Sequence, residues 1–252
     1  MRVSSAFVIA NNRKAIAKKV KADVEKFLSE NNVRLSSSNP QLVITVGGDG
    51  TVLFSKKYYG TPYFAIGSRT SFICQSTFSD WKGKLARAIG NIRAEPRLLL
   101  SSALNGKPLP FSLNEIGIRN PEPRVLSIHL AVKPAGSGKN HSSRPGASMQ
   151  KHFAFRADGI LFSTPTGSPA YCYSCGGKQM EKSGMQYQAV AIAPFRRQFA
   201  PAIFPAQTIC TLRISGKEKA QIFIDGQPFG KFTEKDTLRI TAAKKRFLFA
   251  KI

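Results

Sequence analysis

The stretch "LVITVGGDGTVLFSKK", residues 42 to 57, decides how the first part of the chain folds. Leu42 to Val46 is apolar without polar alternation, which suits a parallel strand covered on both faces. A helix signal resumes after Thr51. Between the two, Gly47-Gly48-Asp49-Gly50-Thr51 sets one carboxylate among three glycines. Glycines there permit positive φ and let backbone N–H groups approach a phosphate, and the N-terminus of the next helix adds favourable partial charge. A carboxylate in the same turn can accept a proton from an attacking hydroxyl or face a metal ion, which suits phosphoryl transfer. The same five residues also fit a plain tight turn with Asp49 as helix cap.

Working outward, "SSAFVIA" (4 to 10) reads as a strand, with Asn11 or Asn12 as cap of the helix that follows. In that helix Ile16, Val20 and Val24 recur every four residues, Phe27 and Leu28 continue the stripe, and Lys18, Lys19, Lys21 and Glu25 face away. "PYFAIG" (62 to 67) is a third strand, and "SDWKGKLARAIG" (79 to 90) is a helix capped by Ser79. Residues 1 to 95 therefore alternate β and α, as an open α/β layer with a parallel sheet does. After Pro96 short apolar runs take over: two flank the turn signal Asn105-Gly106, and "VLSIHLAV", "HFAFRADGILFS", "YQAVAIAPF", "CTLRIS" and "QIFIDGQPFG" follow. Residues 96 to 235 form a β-rich domain on this reading, and 236 to 252 a tail that packs back on the first. The Gly-, Ser- and Lys-rich stretch 133 to 151 has no periodicity and is expected as a mobile surface loop; it lacks the spacing of a Walker loop.

The chain has 252 residues, 38 Lys and Arg against 14 Asp and Glu, and a net charge of +24. That balance favours polyanionic partners such as nucleotides, polyphosphate, nucleic acid or anionic membrane, and equally fits a basic solvated surface. No run of aromatics interleaved with Lys or Arg favours nucleic acid. Cys74, Cys172, Cys175 and Cys210 are too few and irregular for a disulfide framework, so reduced thiols are expected. The apolar patch near the N-terminus is too short for a signal-peptide core or a spanning helix, which leads us to expect a cytoplasmic protein without a membrane anchor. Cys172 and Cys175 make a single C-x-x-C with no second pair, and His129, His141 and His152 share no ligand spacing, so no metal site is expected on them.

Six motifs occur in order: Gly47 to Thr51, "LNE" at Leu113 to Glu115, "RADG" at Arg156 to Gly159, "TPTGSPAY" at Thr164 to Tyr171, "GG" at Gly176 and Gly177, and "DGQ" at Asp225 to Gln227. In these, across about residues 3 to 230, the chain resembles the NAD kinase family. The resemblance implies an α/β domain followed by a β-rich domain. It implies phosphoryl transfer from ATP or polyphosphate, with Mg²⁺ or another divalent cation riding on the donor phosphates, to the 2′-hydroxyl on the adenosine ribose of NAD. Asp49 would be the general base, and Gly47, Gly48, Gly50 and Thr51 would seat phosphate. Asn114 and Glu115 would hold the adenosine moiety and its ribose, and Arg156 and Asp158 would serve the nicotinamide end from a neighbouring subunit of a homodimer or homotetramer. Pro169, Ala170, Tyr171 and Ser174 would line the dinucleotide pocket.

The chain departs from the family pattern at three places. Pro169 stands where Thr is usual, removing a hydroxyl and an N–H near the expected adenine. "AIGSRTSFICQ" has Ser71 where a glycine is expected and one residue fewer. Arg196 and Arg197 stand where a histidine commonly follows the family's proline, and a surface role is expected of them. Two other functions stay open on the residues alone. A lipid or sphingoid-base kinase shares Gly-Gly-Asp-Gly-Thr, though its Asn-Glu element tends to follow more closely. A non-catalytic dinucleotide- or nucleic-acid-binding protein would suit the charge and Pro169.

Overall fold

The computed structural model describes residues 2 to 134 and 150 to 252. The stretch 135 to 149, with His141 and most of the expected surface loop, lies outside the described residues. The chain divides into two compact units, Met1–Arg97 with Lys245–Ile252, and Leu98–Lys244.

The first unit runs β1 (Ser5–Ala10), α1 (Ala15–Glu30), β2 (Arg34–Leu35), β3 (Leu42–Val46), α2 (Asp49–Ser55), β4 (Tyr63–Gly67), β5 (Ser76–Thr77) and α3 (Trp81–Gly90). Strands β2, β1, β3, β4 and β5 lie side by side in that order, all parallel. Every residue of β3 and of β4 is buried, as the unbroken apolar run requires. Helix α1 buries Ala17, Val20, Val24 and Leu28, while Ile16 is 47% exposed. The buried stripe thus begins one residue later than the four-residue spacing from Ile16 suggests, because Ala17 lets the helix approach the sheet closely. Neither Asn11 nor Asn12 caps this helix: its cap is Lys14, without a side-chain bond, and Asn11 Oδ1 accepts the Arg13 N–H in a local turn. Likewise Asp80, not Ser79, precedes α3; its carboxylate accepts the Thr77 N–H and the Ser76 hydroxyl and pairs with Lys84.

The chain then continues through β6 (Ala94–Leu104), β7 (Lys107–Pro108), β8 (Glu115–Arg119), β9 (Leu126–Lys133), β10 (Lys151–Ser163), α4 (Tyr171–Ser174), β11 (Gln186–Pro194), a 3₁₀ turn at Phe195–Arg197, β12 (Ala202–Pro205), β13 (Ile209–Ser215), β14 (Ala220–Ile224), β15 (Gln227–Phe232) and β16 (Leu238–Ala250). In the second unit the antiparallel order is β15, β14, β8, β10, β9, β13 and the start of β16, with β11 also on β10 and β12 on β11. Asn105-Gly106 and Asp225-Gly226 turn two of the hairpins, all four residues at positive φ. Alternate residues of β9 and β13 point inward, Leu126, Ile128, Leu130 and Val132 against Cys210, Leu212 and Ile214. Strand β16, where a tail is expected, gives Leu238 to Ile240 to β13 and, in the first unit, sets Phe249 beside Tyr63. Among the described residues no helix is long and apolar enough to cross a membrane.

Strand β8 is held between β10 and β14, and its contact with β10 is close because Gly159 stands opposite Arg119. A Cβ at Gly159 would run into the Ile118 carbonyl and come 2.8 Å from Arg119 Cα, both backbone atoms. Gly159→Ala should therefore destabilise the protein by about 1–3 kcal/mol, lowering Tm by roughly 2–4 °C per kcal/mol in a thermal melt. An unchanged Tm would show that β8 and β10 can move apart at no cost.

Candidate functional site

In the first unit the glycine turn follows β3 directly. Gly47 (φ 150°) and Gly48 (φ 116°) take conformations that side chains rarely adopt, whereas Gly50 sits in ordinary helix. A Cβ on Gly47 would meet the Thr51 hydroxyl and the Asn11 side chain. Two of the amides expected to seat phosphate are committed within the protein: the Gly47 N–H donates to Ile66 O (2.9 Å) and the Thr51 N–H to Gly48 O (2.9 Å). Lys14 Nζ donates to the Gly47 carbonyl at 3.2 Å. Asp49 is the first residue of α2 and not its cap, which is Gly48. Its carboxylate instead accepts three consecutive N–H groups, from Phe72 (2.8 Å), Ile73 (3.0 Å) and Cys74 (3.3 Å). The loop carrying the unusual Ser71 thus folds onto Asp49, a contact with no signal in the spacing of the glycine motif. Burial, reinforced by the Asp49 charge, pushes the Cys74 thiol up to about 12. Gly67 must lack a side chain here, since its Cβ would stand 2.6 Å from both Ser71 Oγ and Cys74 Sγ.

The second unit builds its part of the site around another carboxylate. Asp225, at φ 49° in the β14–β15 turn, accepts the N–H groups of Leu113 (3.0 Å), Asn114 (2.7 Å) and Glu115 (3.2 Å), and its own N–H donates to Glu115 O at 2.9 Å. Thr164 closes the other side, its hydroxyl donating to Leu113 O and its N–H to Asn114 O. Gly167 lies so near that a Cβ would strike the Asn114 carbonyl. The "LNE" segment is therefore fixed through its backbone, and its side chains are left with little to bind. Asn114 Oδ1 and Glu115 Oε2 are buried without a hydrogen-bond partner. Buried acceptors in that condition are sites for a donor from outside the chain. Burial, and then the charge of Asp225, raises Glu115 to about 8 against the resisting Gly226 N–H, so the group is largely neutral at pH 7.

Glu115 opens into a cleft of ≈ 270 Å³ whose lining also includes Arg119, Tyr171, Gln221 and Phe223. Tyr171, 38% exposed at the start of α4, meets Phe223 edge-on with ring centroids 6.2 Å apart. Burial, then Cys175, raises the Tyr171 hydroxyl above its ordinary range, and Arg119 acts against that by donating to its oxygen. Pro169 is half-buried in the turn that carries Ala170 into α4, where the Ala170 N–H donates to Gly167 O; Ser174 is exposed one turn on. Cys172 is buried and pushed up to about 12 by desolvation, and Cys175 is raised by the same cause, so both are protonated packing residues.

The structure does not bring Arg156 to this cleft. Its guanidinium stacks over Phe195 at 5.1 Å, and the Arg156 backbone N–H donates to Gln198 Oε1. Arg196 lies over the same ring at 5.2 Å; it and Arg197 are exposed, at φ 48° and 55°. Asp158 lies on β10, its carbonyl accepting the Asn120 N–H. Among the described residues no group of three or more His, Cys, Asp and Glu could hold a metal ion. A larger hollow, ≈ 440 Å³, between His129, His152 and Arg213 contains none of the expected site residues.

Residues 141–252 match the family described as the ATP-NAD kinase C-terminal domain. The chain is 28% identical over 224 residues to an NAD kinase of Methanosarcina barkeri, covering 87% of this chain and 76% of that protein. It is 26% identical over 273 residues to an NAD kinase of Treponema denticola, covering 98% and 91%. In fold it is similar to the crystal structure of an NAD kinase from Archaeoglobus fulgidus in complex with ATP, with a TM-score of 0.77 at 21% identity over 98% of this chain and 93% of that one. It is also similar to yeast NADH kinase complexed with NADH, with a TM-score of 0.82 at 17% identity over 100% and 84%.

Because Glu115 binds its proton more tightly when folded, at about 8 against an ordinary 4.5, the stability it lends is full below about pH 4.5 and is lost as pH rises through about 8. Glu115→Gln removes that titration. The Gln variant should gain on the wild type by at least about 1 kcal/mol between pH 5 and pH 8.5, read as the change in the Tm difference. For the same reason the variant should alter ligand affinity little at pH 6 and more at pH 9. A constant Tm difference would mean that Glu115 titrates as an ordinary carboxylate.

Proposed function

We propose that this chain, which belongs to the NAD kinase family, transfers the terminal phosphoryl group of ATP or polyphosphate to the 2′-hydroxyl on the adenosine ribose of NAD, giving NADP. The observation that carries this reading is the pair of buried, unpartnered oxygens Asn114 Oδ1 and Glu115 Oε2 beside an aromatic-lined cleft. Sugar hydroxyls, which donate and accept, and an exocyclic amine, which donates, are partners of the kind a neutral carboxyl and an amide oxygen lack here. The names of the relatives, and the ATP and NADH bound by the two similar structures, point the same way.

In the proposed reaction Asp49 accepts the proton of the 2′-hydroxyl while the oxygen attacks the terminal phosphorus of the donor. The bond to the bridging oxygen breaks, and the shortened donor leaves with that electron pair. A carboxylate offers about four lone-pair positions, and the three amides of Phe72, Ile73 and Cys74 occupy three. The Cys74 thiol, which also donates to Asp49, stands at the fourth; the substrate hydroxyl would take its place, and the amides fix the direction of the carboxylate. A divalent cation enters, on this reading, with the donor phosphates as part of that substrate. Gly48 and Gly50 are the turn glycines whose amides stay available to phosphate once Gly47 is committed to Ile66. Asp158, with Arg156 near it, would serve the nicotinamide end from a neighbouring copy.

The test is to incubate the purified protein with NAD, Mg²⁺ and either ATP or polyphosphate and to read NADP with a coupled dehydrogenase; no NADP from either donor would overturn the proposal. Asp49→Asn should lower turnover by at least about a hundredfold, the scale of a lost general base. Its amide nitrogen must also face a backbone N–H of the 72–74 loop, so a loss of about 1–3 kcal/mol in stability should accompany it. Near wild-type turnover in a folded variant would remove Asp49 from the role of base.

A further inference from the structure

Arg119 was not among the residues expected to bind, yet the strand register makes it one end of the cleft. Residues Glu115, Gly117 and Arg119 alternate along one face of β8. Gly117 is paired with Phe223 and Arg119 with Gln221 on β14, and Gln221 is paired in turn with Lys231 on β15. Arg119, Gln221 and Lys231 thus form one row across three neighbouring strands. The next row is Gly117 and Phe223, and beyond it is Glu115. Gly117 has to be a glycine for Phe223 to lie there, because a Cβ would come 2.7 Å from Phe223 Cζ. The cleft therefore changes character along its length, from a neutral buried carboxyl, across an aromatic floor, to Arg119 and the amide of Gln221, with Lys231 next in the same row on β15.

Among the described residues neither Arg119 nor Lys231 has a carboxylate partner, although ion pairs form elsewhere on the chain. Arg119 is exposed and lines the cleft, and its contact with the Tyr171 oxygen uses only part of the five-donor set of a guanidinium. Along the strand Arg119 lies about 13 Å from Glu115, four residues at roughly 3.3 Å each. The arginine side chain can shorten that span by reaching back over Gly117.

We propose that Arg119 is a specificity-determining residue that takes the pyrophosphate of the acceptor, aided by Gln221 and Lys231, so that the cleft selects phosphorylated adenosines over adenosine itself. This rests on the reading of Asn114 and Glu115 as the seat of the adenosine end. A guanidinium suits the task because it offers several parallel donors to phosphate oxygens and stays charged at any working pH. The amide of Gln221 adds a neutral donor between the two cations. No group in the row is an acid that would repel the phosphates.

The experiment measures the dissociation constants of ADP-ribose and adenosine by calorimetry, or by competition where adenosine is weak, for the wild type, Arg119→Gln and Arg119→Lys. The wild type should bind ADP-ribose at least about tenfold more tightly than adenosine, the worth of one strong charge-assisted contact. Arg119→Gln should lose most of that ratio with the adenosine constant unchanged, and Arg119→Lys should keep part of it. In turnover, KM for NAD should rise about tenfold in Arg119→Gln with kcat within about twofold, a split that a loosened fold would not produce. Since the side chain is exposed, the melting temperature serves as the control for folding. If the wild type separates the two ligands and Arg119→Gln does not, the inference stands, even for a protein that yields no NADP in the assay above. If the variant keeps the separation, or the wild type shows none, the inference is overturned whatever that assay gives.

Discussion

A carboxylate turned onto three consecutive backbone N–H groups is the interaction on which both halves of this protein depend. Asp225 does this to Leu113, Asn114 and Glu115, and Asp49 does it to Phe72, Ile73 and Cys74. In each case an irregular segment that could not satisfy its own amides receives a charged acceptor, worth more per bond than a neutral carbonyl. An irregular segment is thereby held as firmly as a strand. The consequence differs between the two. At Asp225 the clamp uses the backbone of the "LNE" segment and leaves its side chains to bind something else. At Asp49 the clamping carboxylate is itself the group assigned to the reaction, so its orientation and the shape of the loop are set by the same bonds.

The second consequence is electrostatic. Asp225 is committed to three amides, so its charge stays beside Glu115 and cannot be moved away. Glu115, buried and next to that charge, resolves the conflict by holding a proton. At neutral pH it can donate as well as accept, which a carboxylate cannot, and a charge-assisted contact to a ribose hydroxyl, natural to assume for an Asn-Glu pair, is not what the geometry offers. Neutrality also suits the cleft it opens into. A charged Glu115 would weaken the field of Arg119 further along the same face, whereas the protonated form leaves that end cationic.

Much of this was legible in the residues because the strong signals are local. The unbroken apolar run Leu42 to Val46, the Asn105-Gly106 turn and the alternation in β9 and β13 each reflect a rule that acts over a few residues. Errors came where a contact decides. Ile16 fits the helical spacing as well as Ala17 does, and the sheet accepts the smaller side chain. Asn11 is a better cap by type than Lys14, and Ser79 an equal of Asp80, but Asn11 is taken by Arg13, and Asp80 precedes α3 with its carboxylate on Ser76 and Thr77. The strand character of Leu238–Ala250 went unread because "TAAKKR" breaks its apolar pattern at the point where the chain leaves one unit for the other. The clamp on Asp49 crosses more than twenty residues with no spacing of its own. Arg119 went unnoticed because its meaning comes from Gln221 and Lys231, which only the register sets beside it.

The same clamps bear on the net charge. With 14 acidic residues against 38 basic ones, the chain has few carboxylates to distribute. Asp49, Asp225 and Asp236 direct theirs to backbone N–H groups, and Asp80 divides its own between the Thr77 N–H and Lys84. Several ion pairs that do form join neighbours on a helix, such as Lys21 with Glu25 and Lys26 with Glu30, and these contribute little. The cationic excess is therefore not neutralised locally and projects into solvent as a field. A field of that sign raises the local concentration of multiply charged anions, and does so less as salt is added. Both the donor and the acceptor proposed for this protein carry phosphates, so on that reading the surface charge would act on encounter while Arg119 and the buried oxygens would act on fit.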